Sequence, residues 1–574
     1  MAARSPHTTP GTPPRRALSD VLRPALRRAR ALLPAAADYR DLQRTWRGDL
    51  LAGVTVGIVA LPLALAFGVS SGVGAEAGLI TAIVAGVVAA VMGGSNVQVS
   101  GPTGAMVVVL APIVVSQGVA AVAVVAIVAG VIVVMAGVLG LGRAVAVIPW
   151  PVIEGFTLGI AVIIAAQQVP AALGVPAEVH ALALVGAAGA VLQAQWPTVA
   201  YTLAIVAAVA VIMLVAPRIH RLMPGSLIAV VLVTIVTTLL GSPVEVIGAL
   251  PSSLPLPALP ALDGIVLPAL LAPAAAVAAL AAIESLLSAR VAASLAPTGP
   301  VNADRELVGQ GLASIASGFF GGMPATGAIA RTAVNVRSGG RSRLAAIVHA
   351  FVLLLIVSAA SGLVGTIPLA ALAGVLLVTA VRMVAPATVR SIMRSTRPDA
   401  VIFVLTAVTT VALDLVLAVI IGIVAAALIA LRQLARSSSV HREPLPGEPQ
   451  PGDDGIALLR VEGTLFFGAA ERVLDELAAV HHVSVVIIRL SQVRDLDATG
   501  ARGIADIIDT LERRGVTVII KGVRPQHRGL IERVGALERL RHPAHLIASL
   551  DEAVIHARSH IARERAAGTV SPAD

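Results

Sequence analysis

Long runs of Ala, Val, Leu, Ile and Gly, almost free of charge, recur from about residue 50 to residue 436. A helix of about 20 consecutive apolar residues crosses a bilayer, and a chain with this many such runs folds in lipid. Clear candidates begin near Leu50, Ala75, Val119, Val152, Thr198, Ser226, Leu267, Leu344, Leu369, Asp399 and Leu415. Weaker ones begin near Thr103, Leu307 and Thr326. The expectation is an α-helical polytopic membrane protein of about 12 to 14 spans, broken at Gly and Pro.

Composition narrows the function. Only 13% of the 574 residues are charged and 57% are hydrophobic, against about 25% charged in a soluble protein. Small side chains suit helix packing in lipid, where bilayer tails give no hydrophobic push between helices. The absence of cysteine excludes disulfides, thiolate catalysis and Cys-ligated zinc. The net charge of +9 comes almost wholly from arginine, Lys521 being the lysine. No basic patch is interleaved with stacking aromatics, so nucleic acid is not an expected partner. Residues 1–48 lack the short apolar core of a secretory signal. They read as a disordered basic arm that reaches the membrane near Trp46 and Asp49.

Arginine placement tests the span count. With every candidate spanning, Arg143, Arg218, Arg221, Arg290, Arg305, Arg337, Arg341, Arg343, Arg382, Arg390, Arg394, Arg397, Arg432 and Arg436 fall on one side. The connections near Ser71, Gln117, His180, Pro251 and Gly365 carry none. By the positive-inside bias the arginine-rich side is the cytosol, which places both termini there and the protein in the cell membrane, an inner membrane in a two-membrane cell. Arg331 breaks the pattern by lying inside the weak candidate near Thr326.

Two short segments resemble each other: Gly101-Pro102-Thr103-Gly104-Ala105-Met106 and Pro324-Ala325-Thr326-Gly327-Ala328-Ile329. Each opens an apolar stretch too short to cross alone, and the two enter from opposite sides. Paired, interrupted spans point to a transporter's binding site. A helix that starts at the midplane presents unpaired N–H groups and about half a positive charge. Two such ends facing each other attract an anion. Glycine admits close backbone approach and threonine adds a hydroxyl. The competing structural reading is two Gly-kinked helices whose threonines bond their own turns.

Ionisable groups at membrane depth are costly and default to functional candidates. Glu284 lies late in a long apolar span, with Ser288 one turn on and on the same face. A buried glutamate can cycle a proton, or with hydroxyls and carbonyls coordinate sodium; as a structural residue it would pair Arg331 or Arg290. Arg331 either adds full charge to an anion site or snorkels toward the cytosol. Glu154 and Asp414 lie near span ends, where caps tolerate charge. Gln167 and Gln168 sit near an external end without a separate role.

After Arg436 the composition changes. Residues 437–454 read as a linker. From Gly455 strand and helix alternate: Ala457–Val461, 469–479, Val483–Arg489, Thr499–Arg513, Val516–Ile520 and Gln526–Val534. That pattern is a small α/β domain over 455–560 with a mostly parallel sheet, followed by a disordered tail at 561–574. Asp497 or Thr499 would cap the helix after the second strand. No Walker-type loop and no paired acid/base constellation is present, so neither an enzyme, a cofactor nor a metal site is expected.

The chain from about Asp49 to Leu550 resembles the sulfate permease family, which includes solute carriers related to prestin. The likeness rests on Leu61-Pro62-Leu63-Ala64-Leu65-Ala66, Ser100-Gly101-Pro102-Thr103-Gly104 and Gly155-Phe156-Thr157-Leu158-Gly159. It continues with Ile283-Glu284-Ser285-Leu286-Leu287, Gly321-Gly322-Met323-Pro324-Ala325-Thr326-Gly327 and Asp414-Leu415. The tail, with Asp497-Ala498-Thr499-Gly500, resembles a STAS domain, in whose regulatory members the Thr499 position lies in the phosphorylated loop; phosphorylation is not implied here. The resemblance implies a transmembrane domain over 49–436 of 14 spans in a 7+7 inverted repeat, split into core and gate, with elevator movement and a homodimer. It implies a small anion, inorganic or organic, held by Thr103, Gly104 and Ala105 on span 3 and Gly327, Ala328 and Ile329 on span 10. Glu284 and Ser288 match an aspartate and a threonine at the cation site of sodium-dependent members; the glutamate here, and Ile329 in place of a hydroxyl, favour protons over sodium. Arg331 matches an arginine of chloride-binding members. The expected function is proton-coupled anion transport of sulfate, bicarbonate or a C4-dicarboxylate. The alternatives are an uncoupled or sodium-coupled transporter or channel, and a STAS-based anion sensor.

Overall fold

The computed structural model describes residues 30–40, 42–143, 148–176, 183–220, 223–261, 266–297, 299–413, 415–436, 439–466 and 483–566. Contacts divide the chain into two units, one ending at Ile423 and one beginning at Val424.

Apolar runs become helices because a helix satisfies its own backbone where no water can. The first unit runs α1 (Leu42–Ser70), α2 (Ala75–Met92), α3 (Gly104–Gln117), α4 (Ala120–Leu139), α5 (Trp150–Leu173) and α6 (Ala183–Gln193). It continues through α7 (Thr198–Ile219), α8 (Gly225–Leu239), α9 (Leu267–Leu295), α10 (Ala303–Phe319) and α11 (Ile329–Arg337). It closes with α12 (Arg343–Gly365), α13 (Leu369–Met383), α14 (Pro386–Arg394), α15 (Arg397–Ala412) and the first turns of α16 (Leu415–Arg436). Among the described residues, eight helices are long and apolar enough to cross a membrane: α1, α2, α4, α5, α7, α9, α12, and α13 with α14. The interrupted stretches stay short, α3 having 14 residues and α11 nine. Two strands of two residues, β1 (Ser100–Gly101) and β2 (Thr326–Gly327), precede them.

Glycine sets one helix spacing. A Cβ on Gly311 of α10 would lie 2.5 Å from the Gly130 carbonyl of α4, and one on Gly130 2.6 Å from that of Gly311. The two backbones therefore touch, as small residues permit in lipid.

Several sequence expectations are corrected. The N-terminal arm is not wholly disordered: Ala36–Tyr39 form a 3-10 turn and α1 begins at Leu42. Asp38 pairs Arg305 at 2.7 Å and Arg343 at 3.9 Å. Arg305 and Arg343 are accordingly buried helix residues rather than free loop cations. Burial alone would raise the Asp38 carboxyl, but hydrogen bonds from Arg305 and the Ala35 N–H, with the charge of Arg343, hold it below the usual carboxylate range. Asp49, expected at the end of a polar arm, is fully buried. It accepts from the Arg341 and Ser342 N–H groups at 2.6 and 3.0 Å and from the Ser342 hydroxyl at 2.6 Å. It thereby closes the entry to α12. Helix α6 was not foreseen; the connection near His180, Asp414, Arg221 and the segment 469–479 lie outside the described residues.

Among the described residues, the second unit holds a five-stranded sheet in the order β3-β4-β5-β6-β7. Strands β4 (Ile456–Leu465), β5 (Val485–Leu496), β6 (Thr517–Lys521) and β7 (Leu546–Ile547) run parallel. The edge strand β3 (Ser439–Glu443) runs antiparallel to β4 and lies inside the stretch expected to be a linker. Alternation places Ala457, Leu459 and Val461 in one core with α17 (Ala498–Arg513). Ile456 and Leu458 enter the opposite core against the terminal helix α19 (Leu550–Ala566). That helix runs into the stretch expected to be a disordered tail. Asp497 caps α17, accepting from the Gly500 N–H at 2.7 Å, and α18 (Pro525–Arg533) follows β6.

Two outcomes follow. Asp49→Ala leaves buried N–H groups unpaired and destabilises the protein by about 1–3 kcal/mol, read as a lower melting temperature in detergent, with Asp49→Asn intermediate. Because the Asp38 carboxyl is depressed in the folded state, its stabilisation is present above the ordinary carboxylate range and lost as pH falls through the lowered value. Asp38→Asn therefore flattens the acid side of a stability-against-pH curve and leaves its slope near neutrality unchanged.

Candidate functional site

The two interrupted stretches meet through their backbones. β1 and β2 pair antiparallel, Ser100 opposite Gly327 and Gly101 opposite Thr326. The Ala328 N–H extends the contact to the Val99 carbonyl at 2.9 Å. Helix α3 starts at Gly104 and α11 at Ile329, and neither N-cap, Thr103 or Ala328, makes a side-chain capping bond. Antiparallel entry makes the helices leave in opposite directions from starts a few residues past the crossing. Both first turns thus expose N–H groups at one place.

Side chains from α9 and α11 bind this crossing. The Thr103 hydroxyl donates to Glu284 Oε2 at 2.9 Å. Arg331 donates through Nη2 to the Pro102 carbonyl at 2.6 Å. The Gly327 N–H donates to Ser285 Oγ at 3.0 Å, and Ser285 shares a hydrogen bond with Thr326 Oγ1 at 3.1 Å. Ser288 donates to Thr332 Oγ1 at 3.2 Å, and Thr332 also accepts from the Val99 N–H at 3.1 Å. Thr103, Gly104, Ala105, Thr326, Gly327, Ala328, Arg331 and Ser288 are buried; Glu284 and Ile329 are half-buried. Arg331 Nη1 and both atoms of the Gln98 amide are buried without a hydrogen-bond partner. They lie where glycines leave room: a Cβ on Gly101 would come within 2.8 Å of Arg331 Nη1, and one on Gly327 within 1.8 Å of Gln98 Nε2.

All ten residues singled out in the sequence therefore lie on the two starts or on the α9 and α11 faces against them. Sequence reasoning missed Ser285, Gln98, Thr332 and the polar face of α10, where Gln310 donates to Ser100 Oγ at 2.6 Å. It also missed His349, buried on α12 with both ring nitrogens unpartnered. Polar residues within apolar stretches were the available signal. Glu154 accepts from Trp150 Nε1 at 3.1 Å, the local role expected of it. Gln167 and Gln168 line a cavity of about 1250 Å³ along the second half of α3, and Gln168 bonds Ser70. The cavity reaches Val108, one turn from the start of α3.

Discontinuous helices opposed through their breaks inside a many-span bundle, on a chain that also carries an α/β unit, define a membrane carrier of the interrupted-helix class. The Sulfate permease family model matches residues 46–406 and the STAS domain model residues 450–553. The bicarbonate transporter BicA of Synechocystis sp. is 32% identical over 523 residues, covering 86% of this chain and 91% of its own. YvdB of Bacillus subtilis is 32% identical over 511 residues, covering 87% and 96%. The solved transmembrane domain of a cyanobacterial BicA is 34% identical with a TM-score of 0.58, covering 68% of this chain and 98% of its own. The structure of SLC26A9 shares the fold at 16% identity with a TM-score of 0.79, covering 98% and 99%. The chain belongs to the sulfate permease family: it is a multi-pass membrane anion transporter with a STAS domain, not an enzyme.

Gly327→Ala drives a methyl into Gln98 and destabilises the protein by about 1–3 kcal/mol, as overpacking does. Added to Gln98→Ala, the same substitution costs measurably less, so a double-mutant cycle of melting temperatures shows coupling between the two positions.

Proposed function

We propose that the chain is a secondary active transporter that moves sulfate or bicarbonate, with C4-dicarboxylates as a third candidate class, together with a proton. The observation that carries this is the antiparallel crossing of β1 and β2, which sets two uncapped helix starts beside Arg331 and Glu284. The anion lies between Thr103, Gly104 and Ala105 on one side and Thr326, Gly327, Ala328 and Ile329 on the other, with Arg331 supplying full charge. Sulfate comes from the family description and bicarbonate from BicA.

Glu284 supplies the coupling. Its ionised carboxylate, held by the Thr103 hydroxyl, is a like charge for an incoming anion. A proton on Glu284 removes that repulsion, so proton and anion bind together and leave together. Ser288 is engaged with Thr332, which speaks for a proton over sodium. The unit carrying the crossing moves as an elevator within a homodimer in the cell membrane. The exposed arginines, Arg337, Arg341, Arg390 and Arg394 among them, support cytosolic termini. Residues 49–436 are the transport domain.

Uptake of labelled sulfate and bicarbonate into proteoliposomes, with and without an inward proton gradient, tests the reading. Gradient-driven uptake is expected, and Glu284→Gln lowers it at least about tenfold, the rate equivalent of one charge-assisted interaction. Uptake that ignores the gradient and survives Glu284→Gln would remove the coupling, and absence of uptake for every anion would remove the transport reading.

A further inference from the structure

Three histidines of the second unit converge where the sheet edge meets the terminal helix. His545 ends a 3-10 turn, Pro543–His545, directly before β7. His556 and His560 are spaced by four on α19, which stacks them on one face. The ring centroids stand 5.4 Å (His545–His556), 5.2 Å (His545–His560) and 5.0 Å (His556–His560) apart. One nitrogen from each ring lies within 4.8 Å of the other two. His545 is 3% exposed, and its Nδ1, with Nε2 of His556 and Nε2 of His560, is buried without a hydrogen-bond partner.

Leaving a buried ring nitrogen unpaired is destabilising. Unpaired nitrogens on three rings that converge form an arrangement that a single acceptor of lone pairs resolves. Three imidazoles with an open fourth position are a known donor set for zinc, with metal–nitrogen bonds of about 2.0–2.1 Å. Tetrahedral ligands at that distance sit about 3.4 Å apart, which small side-chain rotations reach from the observed spacing. The nearby cation Arg541 is paired with Glu512 at 2.7 Å, and Arg563 is turned back onto the Ser559 carbonyl at 3.1 Å. Glu564 adds a negative charge beside His560. His542, its ring centroid 6.2 Å from that of His545, lies outside the group, its Nδ1 accepting from the Ala544 N–H at 3.1 Å.

We propose that His545, His556 and His560 form a binding site for one divalent late transition-metal ion, zinc foremost, in the STAS domain. Imidazole donors select Zn²⁺, Ni²⁺ or Cu²⁺ over Mg²⁺ and Ca²⁺. The bound ion ties α19 to the β7 edge of the sheet.

The test uses the full-length chain in detergent, purified on a tag without histidine and stripped with a chelator. Titration with Co²⁺ is expected to give the d–d bands of a tetrahedral nitrogen site, and Zn²⁺ to displace Co²⁺ at one ion per chain and raise the melting temperature. His556→Ala with His560→Ala is expected to weaken Zn²⁺ binding at least about tenfold, since loss of supporting groups alone costs about 10–100-fold. The metal-free melting temperature of that variant reports whether it folds. His545→Gln provides a second variant outside the helix. Wild-type protein without the Co²⁺ bands, or variants that bind Zn²⁺ as wild type does, would overturn the site.

Discussion

Four residues carry the architecture of the transport unit. Where a chain stops being helical inside a membrane, its backbone groups lose their partners, and each unpaired group costs several kcal/mol. Here two broken stretches resolve the loss together: Ser100–Gly101 and Thr326–Gly327 pair as a minimal antiparallel ladder. The pairing also sets direction, since antiparallel entry sends α3 and α11 away from each other. Gly101, at φ +152°, adopts backbone geometry that favours glycine, and a side chain there would meet Arg331.

One polar helix holds both limbs of the crossing. On α10, Glu306 accepts from the Gly94 and Ser95 N–H groups at 2.8 and 2.9 Å, and Gln310 reaches Ser100. Further along, Ser314 bonds Ala325 at 3.2 Å and Ser317 donates to the Met323 carbonyl at 2.8 Å. Thr81, in the π-helical turn of α2, accepts from the Met323 N–H at 2.8 Å. The chain before β1 and the chain before β2 are thus fixed to the same element, so the crossing is carried as one piece. Polar residues on α10 find partners in irregular backbone, which is why a helix this polar is stable beside lipid-facing neighbours.

The fold was legible because apolar runs of known length have few alternatives. The repeated Thr-Gly-Ala segments were legible because both runs were too short. The ladder between them was not, since a strand of two residues has no periodicity to read. Glu284 followed from charge at depth, but Ser285 did not: α9 is apolar on nearly every side, so its rotation toward α11 is fixed only by tertiary contact. Arg305 and Arg343 look like loop arginines until Asp38, 267 residues before Arg305 and farther still before Arg343, is placed beside them. Strand β3, with Ser, His, Arg and Glu around one Val, reads as linker because an edge strand needs little apolar surface. His556 and His560 share a visible spacing, whereas His545 joins them through the topology of the sheet.

Magnitudes decide what governs anion affinity at such a crossing. A helix start offers an anion about 0.3–1 kcal/mol, and about 2 kcal/mol in favourable buried geometry. Two starts therefore supply no more than about 4 kcal/mol together. A unit charge at about 4 Å is worth about 4 kcal/mol at the effective dielectric of a partly buried site. An ionised Glu284 in contact with the anion would cancel both helix starts, leaving Arg331, itself half committed to the Pro102 carbonyl. Backbone amides give the site its geometry and its fixed, modest attraction. In the proposed mechanism a proton on that one carboxyl restores about 4 kcal/mol of attraction for the anion, and this difference is what couples the proton to the anion's movement.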